Sequence, residues 1–171
     1  MKPLALDEKL AMVMVYTRNL LARGHLVVKE TSRVSIWLRT QGVPTYLHLR
    51  SPQVVSFSGT PPKPVQMTEV FIPTVEVIAF HIVPPDHDPM DYDTSEANRI
   101  MQPTELLIGP FVAKANIRIS SATDVATSLE VSRASWLSIY DAEITCPFLP
   151  QFKVNVPMML VNPSAVSFGI M

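Results

Sequence analysis

Apolar positions along this chain recur mostly at a period close to two, the spacing that puts alternate side chains on opposite faces of a strand. The opening stretch VMVYTRNLLARGHLVV alternates in this way and is rich in β-branched residues, which predicts a long strand bent at Gly24, with Gly109 as its counterpart later in the chain. A helix over Asp7 to Tyr16, capped by Asp7, is the alternative for its first part. Short helices are predicted over Ser32 to Gln41, where Val34 and Leu38 lie four apart and Gly42 follows as a stop, and over Ser121 to Glu130, where Val125 and Leu129 repeat that spacing. YLHLRSPQVV (46–55) and WLSIYDAEIT (136–145) each predict one strand. VFIPTVEVIAFHI (70–82) and MMLVNPSAVSFGI (158–170) each predict two, broken at Pro73-Thr74 and at Asn162-Pro163-Ser164.

The same blocks thus occur twice in the same order, the mark of an internal duplication. NLLARGHLVVKE (19–30) lies over ELLIGPFVAKAN (105–116), with Gly24 on Gly109, Val27 on Val112 and Lys29 on Lys114. Leu47 matches Leu137, Leu49 matches Ile139 and Val54 matches Ile144 in the second block. In the third, Ile72 falls on Leu160, Ile78 on Val166, Phe80 on Phe168 and Ile82 on Ile170. The expected fold is mainly β with short helices: two small, strongly bent β-barrel or sheet modules, each strand, helix, strand, strand, strand. Residues 1–83 form the first module and 100–171 the second. Leu49, Ile72, Ile78, Phe80, Ile139, Leu160, Val166 and Phe168 are the expected core.

The ending of each module, a strand, a one-turn break and a closing strand as in VFIPTVEVIAFHI, resembles the last two strands of Sm-like small barrels. The pair of copies also resembles bacterial tandem β-module proteins of no assigned activity. These resemblances imply architecture and no chemistry, because the Arg-Gly turn with which Sm-like proteins contact RNA has no counterpart in Pro73-Thr74 or Asn162-Pro163.

Composition sharpens this picture. Sixteen prolines against five glycines suit short strands rather than long helices, and 47% hydrophobic residues with 17% charged describe a chain that folds. Charge is uneven: residues 1–83 hold nine Lys+Arg and five Asp+Glu, 84–104 one and five, and 105–171 four and five. The stretch 84–99 therefore reads as an acidic, Pro-rich linker, with too few apolar positions to order itself. No apolar run reaches membrane-spanning length, and the first 21 residues carry Asp7, Glu8, Lys9 and Arg18 where a signal peptide needs an apolar centre. With one cysteine, these features point to a cytoplasmic protein without a membrane span.

Motifs for chemistry are sparse. Cys146 stands in ITCPF with no local nucleophile signature, no G-x-S-x-G elbow occurs, and five scattered glycines build no phosphate loop. The acidic run DHDPMDYD around His87 lacks the spacing of a closed metal site and the glycine of a calcium loop. No catalytic, metal or cofactor residue is assigned, and the chain is expected not to be an enzyme. Arg33, Arg39 and Arg50, with Trp37 and Tyr46 as stacking faces, are the candidate nucleic-acid contacts of an alternative RNA-binding reading, although the second copy has Asp124, Glu130 and Asp141 in the matching stretch. A small metal-binding protein or enzyme using the acidic linker ranks third. Nine methionines suit an irregular seam between copies or chains. The leading expectation is a non-catalytic structural or protein-interaction module that forms a homo-oligomer, or binds another protein.

Overall fold

The computed structural model describes residues 3–40, 42–59 and 61–170. The protein is mainly β: eleven strands form one open antiparallel sheet, accompanied only by short helices. Strands β1 (Glu8–Tyr16), β2 (Leu20–Lys29), β3 (Tyr46–Ser56), β4 (Lys63–Gln66), β5 (Glu69–Pro73) and β6 (Ala79–Ile82) come from the first half. The second half supplies β7 (Arg99–Ile108), β8 (Phe111–Ser120), helix α1 (Val125–Val131), β9 (Leu137–Thr145), β10 (Lys153–Val161) and β11 (Ser167–Gly169). The sheet runs β11-β7-β8-β9-β10-β6-β1-β2-β3-β4, with β5 also on β3.

The stretch read as a single long strand bent at Gly24 is the hairpin β1–β2, closed where the Thr17 N–H donates to the Leu20 carbonyl, and β7–β8 is its counterpart. Each half follows the same path, with two strands before its helix rather than the one expected. Its last strand pairs with its first, its first with its second and its second with its third, which then pairs with the fourth. In the second half the fourth strand is β10; in the first it is divided into β4 and β5, which share the length of β3. The correspondence extends to irregularities. The second strand slips register between Arg23 and His25 and again between Lys114 and Asn116, so that Gly24 and Ala115 occupy equivalent bulges. The third strand answers with its two positive-φ residues, Ser51 at 47° and Asp141 at 49°. Opposite them the fourth strand breaks: the Ser51 N–H donates to the carbonyl of Thr68, between β4 and β5, and Pro157 is skipped in the β9–β10 register. A bulge bends its strand and increases local twist, so both halves curl at the same place.

Several expected pairings are corrected by this register: with Gly24 equivalent to Ala115, none of Gly24, Val27 and Lys29 falls on Gly109, Val112 or Lys114. Gly24 sits inside β2, whereas Gly109, at φ 55°, lies in the turn between β7 and β8, where Arg18 stands in the first half. Both glycines are confined, but differently. A Cβ on Gly24 would lie 3.1 Å from Cα and Cβ of Pro52, and one on Gly109 would lie 3.2 Å from the Thr17 carbonyl oxygen, because the two hairpin turns abut. Leu47 and Leu137, Leu49 and Ile139, and Val54 and Ile144 do occupy equivalent registers, as do Phe80 and Phe168. Ile72 corresponds to Val161 rather than to Leu160.

The helices are shorter than predicted. The first is a 3-10 turn over Val34–Arg39, ending before Gly42, whose φ of 81° turns the chain beyond it; Gln41, the last residue of the predicted helix, lies outside the described residues. In α1 the Asp124 carboxylate accepts from the Thr127 N–H at 2.7 Å, a side-chain cap. The segment whose alternative reading is a helix from Asp7 is strand from Glu8 to Tyr16, since its alternating residues serve two cores.

Those cores lie on opposite faces of the central strands. Val13, Val15 and Phe80 pack with Leu26, Leu47, Leu49, Val54, Ile72 and Leu160, while Met14, Tyr16 and Ala79 pack with Leu106, Phe111, Ile139, Ile144 and Met159. The halves meet where β6 pairs with β10, Leu160 opposite Phe80 and Val161 opposite Ala79. Complete burial of residues like Leu160 and Phe80 contributes roughly 1.5–3 kcal/mol each. Of the expected core residues, Val166 and Phe168 are only half-buried, because β11 lies at the end of the sheet.

Candidate interaction site

The acidic segment does not hang free between the halves. Asp91, with a side chain only 8% exposed, accepts hydrogen bonds from Arg39 Nη1 (2.6 Å), Ser138 Oγ (2.5 Å) and Tyr140 Oη (2.7 Å). Burial pushes its carboxyl upward, but the hydrogen bonds from Ser138, Tyr140 and Arg39 outweigh that and hold it below the ordinary value. Burial and the neighbouring carboxylate push the Tyr140 hydroxyl the other way. Ser35 N–H donates to Asp88 at 2.7 Å, and Arg33 donates to the carbonyl of Pro89. Arg118 pairs with Glu96 at 2.7 Å and lies over the Tyr92 ring, 4.6 Å from its centre. The segment is thus a strap held by donors from both halves. Those donors meet Asp88, Asp91 and Glu96, and Asp91 also lines the adjoining hollow of about 350 Å³.

This changes the standing of the candidate nucleic-acid residues. Arg33 and Arg39 are engaged by the strap, and Arg50 is buried, its Nε without a partner. The three do not form a continuous solvated basic face. Trp37 is half-buried and Tyr46 is exposed. Cys146 is a buried free thiol. His81 is 1% exposed: Tyr16 Oη lies 2.9 Å from its Nε2, and its Nδ1 lies 2.7 Å from the carbonyl of Ile82. Burial lowers its pKa to about 4, so it is a neutral core histidine. Among the described residues no three His, Cys, Asp or Glu side chains gather as a metal site. No helix among them is long and apolar enough to cross a membrane.

The surface that stands out is the outer edge of the first half. Strand β5 pairs with β3 on one side only. Phe71 is 57% exposed on it, stacked on the His48 ring at 4.4 Å, and the following turn presents Val75 at 87% exposure. A groove of about 650 Å³ runs beside them, lined by Arg18 and Asn19 from the β1–β2 turn, by Phe71, Pro73 and Ile78, and by Ala165, which leads into β11 of the same chain. Alternation explains why the strand is open. Thr74 N–H donates to the Thr45 carbonyl at 2.8 Å, so Ile72 and Val70 direct their backbone groups to β3 while Phe71 directs its own outward. The second open edge is β11, which among the described residues pairs only with β7 and is followed by the exposed Ile170. Sequence reasoning missed Asp91, Tyr140 and Phe71 as interacting residues. Phe71 sits in an ordinary alternating strand, and its exposure arises only from the pairing order. No family model, curated protein or solved structure matches the chain.

Proposed function

We propose that this protein is a non-catalytic structural or interaction module that assembles with copies of itself. The observation that carries the reading is the pair of open strand edges, one flanked by exposed Phe71 and Val75 and the other by Ile170. An exposed, apolar strand edge is a template for another strand. The shared path of the two halves supports their descent from one duplicated unit, with 1–83 and 100–171 as its copies. Polar residues differ between the copies while the bends and apolar positions recur, a pattern that favours a shared scaffold over a paired active site. The RNA-binding alternative loses support because Arg33 and Arg39 are engaged and Arg50 is buried.

Sedimentation at micromolar concentration tests the reading, and species heavier than the 19.0 kDa chain are expected. A clean monomer throughout would overturn it. Binding of single-stranded RNA that weakens steeply with salt and is lost in R33A/R39A/R50A would favour the nucleic-acid alternative instead.

A further inference from the structure

The junction between the halves has no counterpart among the described residues at the two ends of the sheet. Inside the chain, the fourth strand of one half, β10, pairs with the last strand of the other, β6, placing Leu160 opposite Phe80 and Val161 opposite Ala79. The equivalent strands at the outer ends, β5 and β11, have no such partner among the described residues. Register carries the equivalence to single residues. Phe71 stands opposite His48 as Leu160 stands opposite Ser138, and Phe168 stands opposite Leu106 as Phe80 stands opposite Val15. We infer that β5 of one molecule pairs with β11 of the next, head to tail, with Phe71 opposite Phe168 and Ile72 opposite Ser167. This deepens the self-assembly reading and rests on it.

Two observations support this register. The backbone groups of Phe71 face away from β3, as the pairing requires. The Leu160 side chain enters the core of the first half across the internal junction, so the matching Phe71 would enter the neighbour's second core, which the half-buried Phe168 borders. Its exposure in the single chain then has a cause. The pairing is weaker in one respect: Asn162 N–H donates to the Ile78 carbonyl at 2.9 Å across the internal junction, and its counterpart Pro73 has no N–H to donate. A contact of this kind is heterologous, so it propagates into a ring if the rotation closes and into a filament if it does not.

Complementation between blocked edges tests the inference. F71K places a strongly hydrated charge on β5, and F168K does so on β11; S167K, at an exposed position, repeats the second block without touching a half-buried ring. Circular dichroism and thermal unfolding establish that each variant is folded. Each alone is expected to be a 19.0 kDa monomer by light scattering. Because F71K retains an open β11 and S167K an open β5, an equimolar mixture is expected to give a dimer of twice that mass and nothing larger. A wild-type monomer would overturn both this inference and the self-assembly reading. Wild-type assembly that persists in folded F71K and S167K, or a mixture that stays monomeric, would overturn the inference alone and leave assembly through another surface.

Discussion

Strands β10 and β5 occupy the same place in their respective halves, yet Met158, Met159, Leu160 and Val161 are all buried whereas β5 buries only Ile72. The difference does not lie in the strands' own alternation. It lies in what comes next in the sheet: β6 covers the end of β10, and no described strand covers β5. Exposure of an apolar strand residue therefore reports a missing neighbour as much as a surface position. If the halves are structural equivalents, changes at matched positions should act through the neighbour that one half has and the other lacks.

Leu160→Ala and Phe71→Ala break the comparison most strongly. Loss of the fully buried Leu160 should cost about 2–5 kcal/mol in chemical unfolding. Removing the half-exposed Phe71 should cost the single chain under about 1 kcal/mol while weakening assembly. Equal losses of stability would show that the two strands are not distinguished by their neighbours.

His81 is buried opposite Met14 and beside Tyr16 and is neutral in the fold, with its pKa lowered from 6.5 to about 4. The unfolded chain binds this proton first, so the stability it contributes is complete above about pH 6.5 and lost as pH falls toward 4. The loss reaches about 3 kcal/mol at most. Unfolding free energies measured across that window should fall with acidity, and less steeply in His81→Leu. An unchanged slope would remove the buried-neutral assignment.

Asp91 sharpens the comparison because its partners come from both halves. Asp91→Ala removes the acceptor of the Ser138 and Tyr140 hydroxyls, leaves Arg39 only its Nε bond to the Trp136 carbonyl, and should lower stability by roughly 2–3 kcal/mol. Arg39→Ala should cost less, since its side chain is partly solvated. A neutral Asp91→Ala in thermal unfolding would mean that the strap is dispensable.

Much of the scaffold was legible in the pattern of apolar residues. Alternation in YLHLRSPQVV and WLSIYDAEIT gives the correct strand and the correct match, because both strands contribute equivalent inward positions. The glycine match misled for a physical reason. Gly24 is required by close approach to Pro52 at a bulge, while Gly109 serves a positive φ in a turn, and identity of residue type hid two different backbone needs. The strap was misread because composition counts its carboxylates without the arginine, tyrosine and serine donors that meet them from distant strands. Burial of the predicted Val166 and Phe168 is incomplete because sheet ends are set by pairing order, which alternation does not encode.

The bulge itself offers the smaller tests. Gly24→Ala forces a Cβ to 3.1 Å from Pro52 and should cost about 1–2 kcal/mol, whereas Ala115 already carries that Cβ at the equivalent place. Ser51→Gly should stabilise slightly, by about 0.5 kcal/mol or less, since relief of the positive φ is offset by a more flexible unfolded chain. A larger gain at Ser51 than at Asp141 is expected, because Asp tolerates the left-handed region better. Denaturant midpoints measured on both pairs decide these points.

The central claim concerns an edge that one molecule leaves open and another fills. Amide hydrogen exchange at Phe71, followed as protein concentration rises through the micromolar range, tests it most directly. Protection of the Phe71 amide should increase with concentration and disappear in S167K. An amide that exchanges as fast as an open strand edge at every concentration would contradict the account.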